Sequence, residues 1–144
     1  MKKIILGFLF FFILFSFVWY QKHPLISSVT IRGHKFFVEV AVNETERRNG
    51  LSNRSSLPPD HGMLFLMNES AYHGFWMRDM KFPLDFIWIR DKTVVDITQN
   101  VPNPLGDESP MNLKPQVPAD KVLEVNAGVV SASGISVGDT VSFK

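Results

Sequence analysis

A chain of 144 residues with 45% hydrophobic content is long enough for one compact domain with a real core and too short for two comfortable ones. It has no cysteine, which removes a disulfide framework, a thiolate zinc site, a catalytic thiol and a lipid-bearing cysteine together. The formal net charge of +1 hides an asymmetry: of 15 basic side chains, Lys2, Lys3 and Lys22 flank an apolar N-terminus, leaving 12 against all 14 carboxylates from residue 24 onward, a balance that argues against nucleic acid as a partner.

The first segment, MKKIILGFLFFFILFSFVWYQKHP, sets two lysines before an uncharged run over residues 4–20 and Lys22 after it. At about 1.5 Å per helical residue the run spans roughly 25 Å, within the range of a membrane-crossing helix. A cleavable signal peptide would end in small residues. This run ends in Phe17, Val18, Trp19 and Tyr20, an aromatic belt suited to a membrane interface. These features predict an uncleaved anchor over residues 1–23, contacting the membrane through residues 4–20, and a single extracytoplasmic domain over residues 24–144, periplasmic or at the cell surface. Cleavage near Ser16 would leave the same domain secreted.

From Val29 the pattern changes to short strands separated by turn residues. VTIRGHKFFVEVAV carries Gly33 and His34 near its middle, as a hairpin or a bulged strand does. In NETERRNGL, Asn43 can cap a helix with Glu46 three residues on, Glu44 and Arg48 have i,i+4 spacing, and Gly50 sits where a left-handed cap belongs. A helix of about two turns follows. SNRSSLPPDHG reads as a loop, GMLFLM as a buried strand and NESAYHG as a turn.

LDFIWIR and TVVDITQ, joined through Asp91 and Lys92, form a predicted hairpin. PNPLGDESPMNLKPQVPAD, with five prolines, is a long irregular excursion of the kind that is usually functional or disordered. KVLEVNAG is a further strand, with Asn126 as the cap of a short helix ending at Gly134, and ISVGDTVSFK closes the chain through a turn at Gly138 and Asp139. Strands outnumber the two short helices, and no long amphipathic helices alternate with them. The predicted fold is mainly β (β-rich α+β): an antiparallel curled sheet or barrel with two short helices, preceded by one transmembrane helix.

Three blocks, ERRNGLSNRSSLPPDHGMLFLM, FWMRDMKFPLDFIWI and VLEVNAG, in that order, resemble the domain of unknown function 192 family of prokaryotic proteins over residues 29–144. The resemblance implies a fold and an exported or anchored location, and no established activity. The family's motif positions fall on Arg47, Gly50, Leu51 and Arg54, then on Gly62, Met63, Leu64 and Phe65. They continue on Phe75, Trp76, Met77, Pro83, Leu84 and Asp85, and end on Leu123, Glu124, Ala127 and Gly128. Where the family often follows FWM with a basic residue and Asn-Thr, this chain has Arg78, Asp79 and Met80.

An extended LDFIWIR puts Asp85, Ile87 and Ile89 on one face and Leu84, Phe86 and Trp88 on the other. Both faces are apolar, so Asp85 should be buried, where an unpaired carboxylate costs several kcal/mol. Arg47, Arg54 and Arg78 are the candidate partners, with a structural ion pair among Arg47, Arg54 and Asp85 as the simplest solution. Glu124 repeats the situation, alternating with Val122 and Asn126. If Asp85 and Glu124 converged on a cleft, they would make an acid/base pair for a hydrolase acting on glycan or peptide.

Alternation also sends Phe75 and Met77 one way and Trp76 and Arg78 the other, so that one pair is core and the second would offer an aromatic-plus-arginine platform. His61 and His73 lack metal-binding spacing, and no GxSxG elbow, Walker loop or Rossmann fingerprint is present. The expectation is therefore a membrane-anchored extracytoplasmic domain that binds a ligand or supports an envelope assembly, with no cofactor, metal or catalytic residue. Arg54, Trp76, Arg78, Asp85 and Glu124 are its predicted ligand-binding residues, and a purely structural module closed to solvent is the remaining alternative.

Overall fold

The structure is a computed structural model that describes residues 26–106 and 108–144, and the predicted anchor over residues 1–23 lies outside them. Among the described residues no helix is long and apolar enough to cross a membrane.

Strands β1 (Ser28–Ile31) and β2 (His34–Ala41) are joined by Arg32 and Gly33, whose φ angles of 50° and 81° make a tight hairpin turn. Helix α1 (Glu44–Asn49) begins where its capping residues dictate. The Asn43 side chain accepts from the Glu46 N–H at 2.9 Å, and the Glu46 carboxylate accepts from the Asn43 N–H at 3.3 Å. Gly50, at φ 46°, ends the helix by donating its N–H to the Glu46 carbonyl, and Glu44 pairs with Arg48 at 3.0 Å. Six residues cannot hold a helix in water alone. Leu51, fully buried just beyond it, and Arg47, which donates to the carbonyls of Val42 (2.8 Å) and Leu66 (3.0 Å), fasten it to the sheet.

β3 (His61–Ala71) runs 11 residues, longer than predicted, because NESA continues the strand instead of turning. Its far end is held by pairing of Ala71 with Ala119 across a register shift, so tertiary pairing overrides the local turn signal. A short ribbon forms between β4 (Phe75–Trp76) and β7 (Asn112–Leu113), the latter inside the proline-rich excursion. β5 (Leu84–Arg90) and β6 (Thr93–Val101) form the expected hairpin through Asp91, at φ 55°. β8 (Ala119–Asn126), helix α2 (Val129–Ser133) and β9 (Val141–Phe143) complete the chain. Asn126 does not cap α2: Gly128 does, at φ 86°, while the Asn126 amide donates to the Leu57 carbonyl at 2.9 Å.

The main sheet has the order β6-β5-β8-β3-β2-β1-β9 and is antiparallel except between β2 and β3, where α1 and its loop make the crossover. Thr93 bridges Thr140, so the two edges meet at one end and the sheet curls into a half-barrel. One face packs Ile31, Leu64, Ile87 and Leu123 under Val130 of α2. The other packs Phe65, Phe86, Trp88 and Val122 under Leu51, Leu57, Met77 and Met80, supplied by the segments after α1 and β4. Coverage on both faces is why six of the seven residues of LDFIWIR are buried.

Candidate functional site

Asp85 is fully buried on the Val130 side of the sheet, opposite Val125 of β8. No arginine reaches it. Its carboxylate accepts from two main-chain groups, the Asn100 N–H at 2.7 Å and the Val130 N–H at 3.0 Å. The second lies in the first turn of α2, where helix N–H groups have no partner within the helix, so the carboxylate meets a need the fold itself creates. The expected ion pair of Asp85 with Arg47 or Arg54 is thereby corrected to a bond with the backbone.

The three arginines have other work. Arg54 forks onto Glu39, with Nη2 to Oε2 at 2.8 Å, and this bond holds the Glu39 carboxyl below its usual range. Arg47 straps α1 to β3 as described, and Arg78 lies exposed, 3.6 Å from Asp79.

Glu124 stands one position along β8 from Val125, opposite Phe86 on β5 and Met63 on β3, and so faces the other side of the sheet from Asp85. The acid/base pair of the hydrolase alternative does not form. Glu124 is 4% exposed and has no hydrogen-bond or ion-pair partner among the described residues. It opens onto a cavity of about 270 Å³. Burial alone pushes its carboxyl up to about 8, so at neutral pH it is mostly protonated.

The cavity walls follow from local sequence. Phe75 turns inward from β4 and meets Phe65, Phe86 and Trp88 edge-on, with ring centroids 5.1, 6.0 and 5.4 Å away. Its neighbour Trp76 turns outward and is 43% exposed at the cavity, while Met77 is fully buried and Arg78 exposed, as the strand alternation predicts. Arg47 and Arg48 of α1 and His73 also line the cavity. Gly50 lets the end of α1 close in, since a Cβ there would stand 3.3 Å from the Phe65 ring.

Past Trp76 and Arg48 a second depression is lined by Asn49, Ser52, Asn53, Arg78 and Asp79. A third continues from Arg78 and Lys81 to Pro104, Gly106 and Pro110 of the proline-rich excursion. Of the five predicted site residues, Glu124, Trp76 and Arg78 therefore fall along one groove, whereas Arg54 and Asp85 do not line it. Sequence reasoning missed Arg48, His73 and Phe75 as lining; the alternation that singled out Trp76 was the available signal for Phe75. A protonated carboxyl in such walls donates one hydrogen bond and accepts others. Among the described residues no group of three His, Asp or Glu side chains is arranged to hold a metal ion.

Residues 27–143 match the model of the domain of unknown function 192 family, described as Uncharacterized ACR. Among solved structures, the chain is similar to a Sinorhizobium meliloti 1021 protein proposed as a transcription regulator: 34% identity, TM-score 0.73, covering 81% of this chain and 92% of that one. It is also similar to a protein of unknown function from Novosphingobium aromaticivorans DSM 12444, at 36% identity and TM-score 0.70, covering 83% and 89%. No curated protein matches the chain significantly.

Proposed function

We propose, since the chain belongs to the domain of unknown function 192 family and membership brings no activity with it, that it is a membrane-tethered extracytoplasmic module that binds a ligand without transforming it. The observation that carries the reading is Glu124: a carboxyl 4% exposed, without a partner among the described residues, opening on a cavity lined by Phe65, Phe75 and Leu84 together with Arg47, Arg48 and Glu44, beside Trp76. Among the described residues no fully buried side-chain polar atom lacks a partner, so the Glu124 oxygens reach the cavity, where a ligand can pair with a carboxyl that no protein group satisfies.

Binding without turnover is supported by the placement of Asp85 across the sheet, out of reach of the groove. Tethering is supported by the apolar run over residues 4–20 between lysines. Beyond residue 24 the 12 basic side chains are outnumbered by 14 acidic ones, which weighs against carrying over a nucleic-acid role from the Sinorhizobium protein.

The test is a titration of the full chain in detergent with fragments of envelope glycan and with envelope peptides, followed by tryptophan fluorescence. A saturable change in wild type that disappears in Trp76→Phe is the expected result. No saturable change with any fragment would overturn the reading.

A further inference from the structure

We infer, resting on that reading, that the cavity takes the acetamido group of an N-acetylated amino sugar, with Glu124 hydrogen-bonded to the acetyl oxygen and the sugar ring lying on Trp76. Charge limits what the cavity can take. An ammonium group entering the cavity would meet a Glu44 already paired with Arg48, pass Arg47, and have to ionise Glu124 against the cost of its burial. A carboxylate ligand would meet guanidinium groups already engaged, Arg47 with the carbonyls of Val42 and Leu66 and Arg48 with Glu44, and beyond them a Glu124 carboxyl that burial holds protonated. The group that fits is therefore neutral and has an oxygen able to accept the Glu124 O–H, as an amide oxygen does strongly.

Shape narrows the choice among amides. The amide bond is planar and trans, so its acyl carbon, oxygen and methyl form one end and its nitrogen and substituent the other. An acetyl group can enter a cavity end first, methyl against Phe65, Phe75 and Leu84 and oxygen toward Glu124. An internal peptide bond carries chain at both ends and cannot. At about 270 Å³ the cavity lies just below the usual range of ligand sites, roughly 300–1,000 Å³, which suits one end of a larger ligand better than all of it.

What continues outside the cavity must then meet Trp76. The residue is 43% exposed and shared with the next depression, where Asn49 offers its amide and Ser52 a hydroxyl oxygen whose proton already goes to the Arg78 carbonyl at 2.8 Å. An aromatic face backed by such groups fits the C–H face and hydroxyl edge of a pyranose, and the groove gives a second sugar a place to lie.

The experiment is saturation-transfer NMR on the full chain in detergent with four probes: a trimer of N-acetylglucosamine, the same trimer without acetyl groups, cellotriose and an acetylated dipeptide amide. The acetylated trimer should bind saturably with its acetyl methyl protons most strongly saturated, and the other two sugars at least about tenfold more weakly. Glu124→Gln, which keeps an N–H donor, should retain binding within a few-fold, and Glu124→Leu should lose at least about tenfold while still melting cooperatively. Equal binding of cellotriose, wild-type affinity in Glu124→Leu, or binding of the dipeptide alone would overturn the inference and leave the groove as a binding site. Silence from all four probes also overturns it, and the wider fragment titration above then decides whether the binding reading falls with it.

Discussion

Asp85 and Glu124 sit on neighbouring strands one step out of register, Asp85 across from Val125 and Glu124 across from Phe86, so their side chains leave the sheet in opposite directions. Both are almost entirely buried, at 0% and 4% exposure, yet their surroundings differ completely. Asp85 is saturated by two main-chain N–H groups, and Glu124 faces a cavity. The difference separates a carboxylate that holds the fold from one that the fold tolerates.

Replacing Asp85 tests the first half of that contrast. Asp85→Ala would strand the N–H groups of Asn100 and Val130, each costing about 1–3 kcal/mol when buried and unpaired. A total loss of roughly 3–5 kcal/mol is expected in urea denaturation, with Asp85→Asn intermediate because its amide oxygen keeps one acceptor. A loss below about 1 kcal/mol would mean that water or a shifted backbone satisfies both groups.

For Glu124 the signature is the pH dependence of stability. Its folded carboxyl titrates at about 8 against an ordinary value of 4.5, so the folded state holds its proton more tightly than the unfolded chain. Below about pH 4.5 both states are protonated and there is no penalty; between about 4.5 and 8 the unfolded state alone ionises, and stability falls by several kcal/mol. Glu124→Gln should flatten that fall and be the more stable protein at pH 8, read from melting temperatures at matched ionic strength. Parallel wild-type and Glu124→Gln curves across the window would contradict the burial argument.

Which of these features the residues announced depends on how far apart in the chain their causes lie. The capping residues Asn43 and Glu46, the Gly50 stop, the Asp91 turn and the outward direction of Trp76 were legible, because each rests on contacts within a few residues. The length of β3 was not, since Ala71 stays extended only by pairing with Ala119. The partner of Asp85 was misread for a related reason: residue types advertise arginine side chains, but not a backbone N–H left over at the start of α2. The separation of Asp85 from Glu124 needed the β5–β8 register, which no single strand encodes.

The fork of Arg54 on Glu39 should contribute little and in the opposite pH direction. The two side chains are 35% and 58% exposed, so Arg54→Ala is expected to cost about 0.2–1 kcal/mol, less in high salt. Arg54 lowers the Glu39 carboxyl, so this stability is present above the ordinary carboxylate range and is lost as pH falls through the depressed value. Acid titration of wild type against Arg54→Ala should show the two curves converging at low pH. A gap that persists below about pH 2 would assign the effect to packing of the arginine stem instead.

The two tryptophans of the domain give the sharpest separation between core and groove. Trp88 is fully buried, stacked with Phe86 at 6.0 Å and tied by its indole N–H to the Thr98 hydroxyl at 3.0 Å. Trp88→Ala should therefore cost about 3–5 kcal/mol, as truncation of a large buried aromatic does. Trp76 is 43% exposed on a two-residue strand, and its indole makes no hydrogen bond among the described residues. Trp76→Ala should change stability by less than about 1 kcal/mol. The same substitution should abolish the ligand-dependent signal, because the ring forms the side of the groove rather than the support beneath it. If Trp76→Ala instead melts the protein as deeply as Trp88→Ala, the ring is holding the β4–β7 ribbon in place, and the exposed face is incidental to binding.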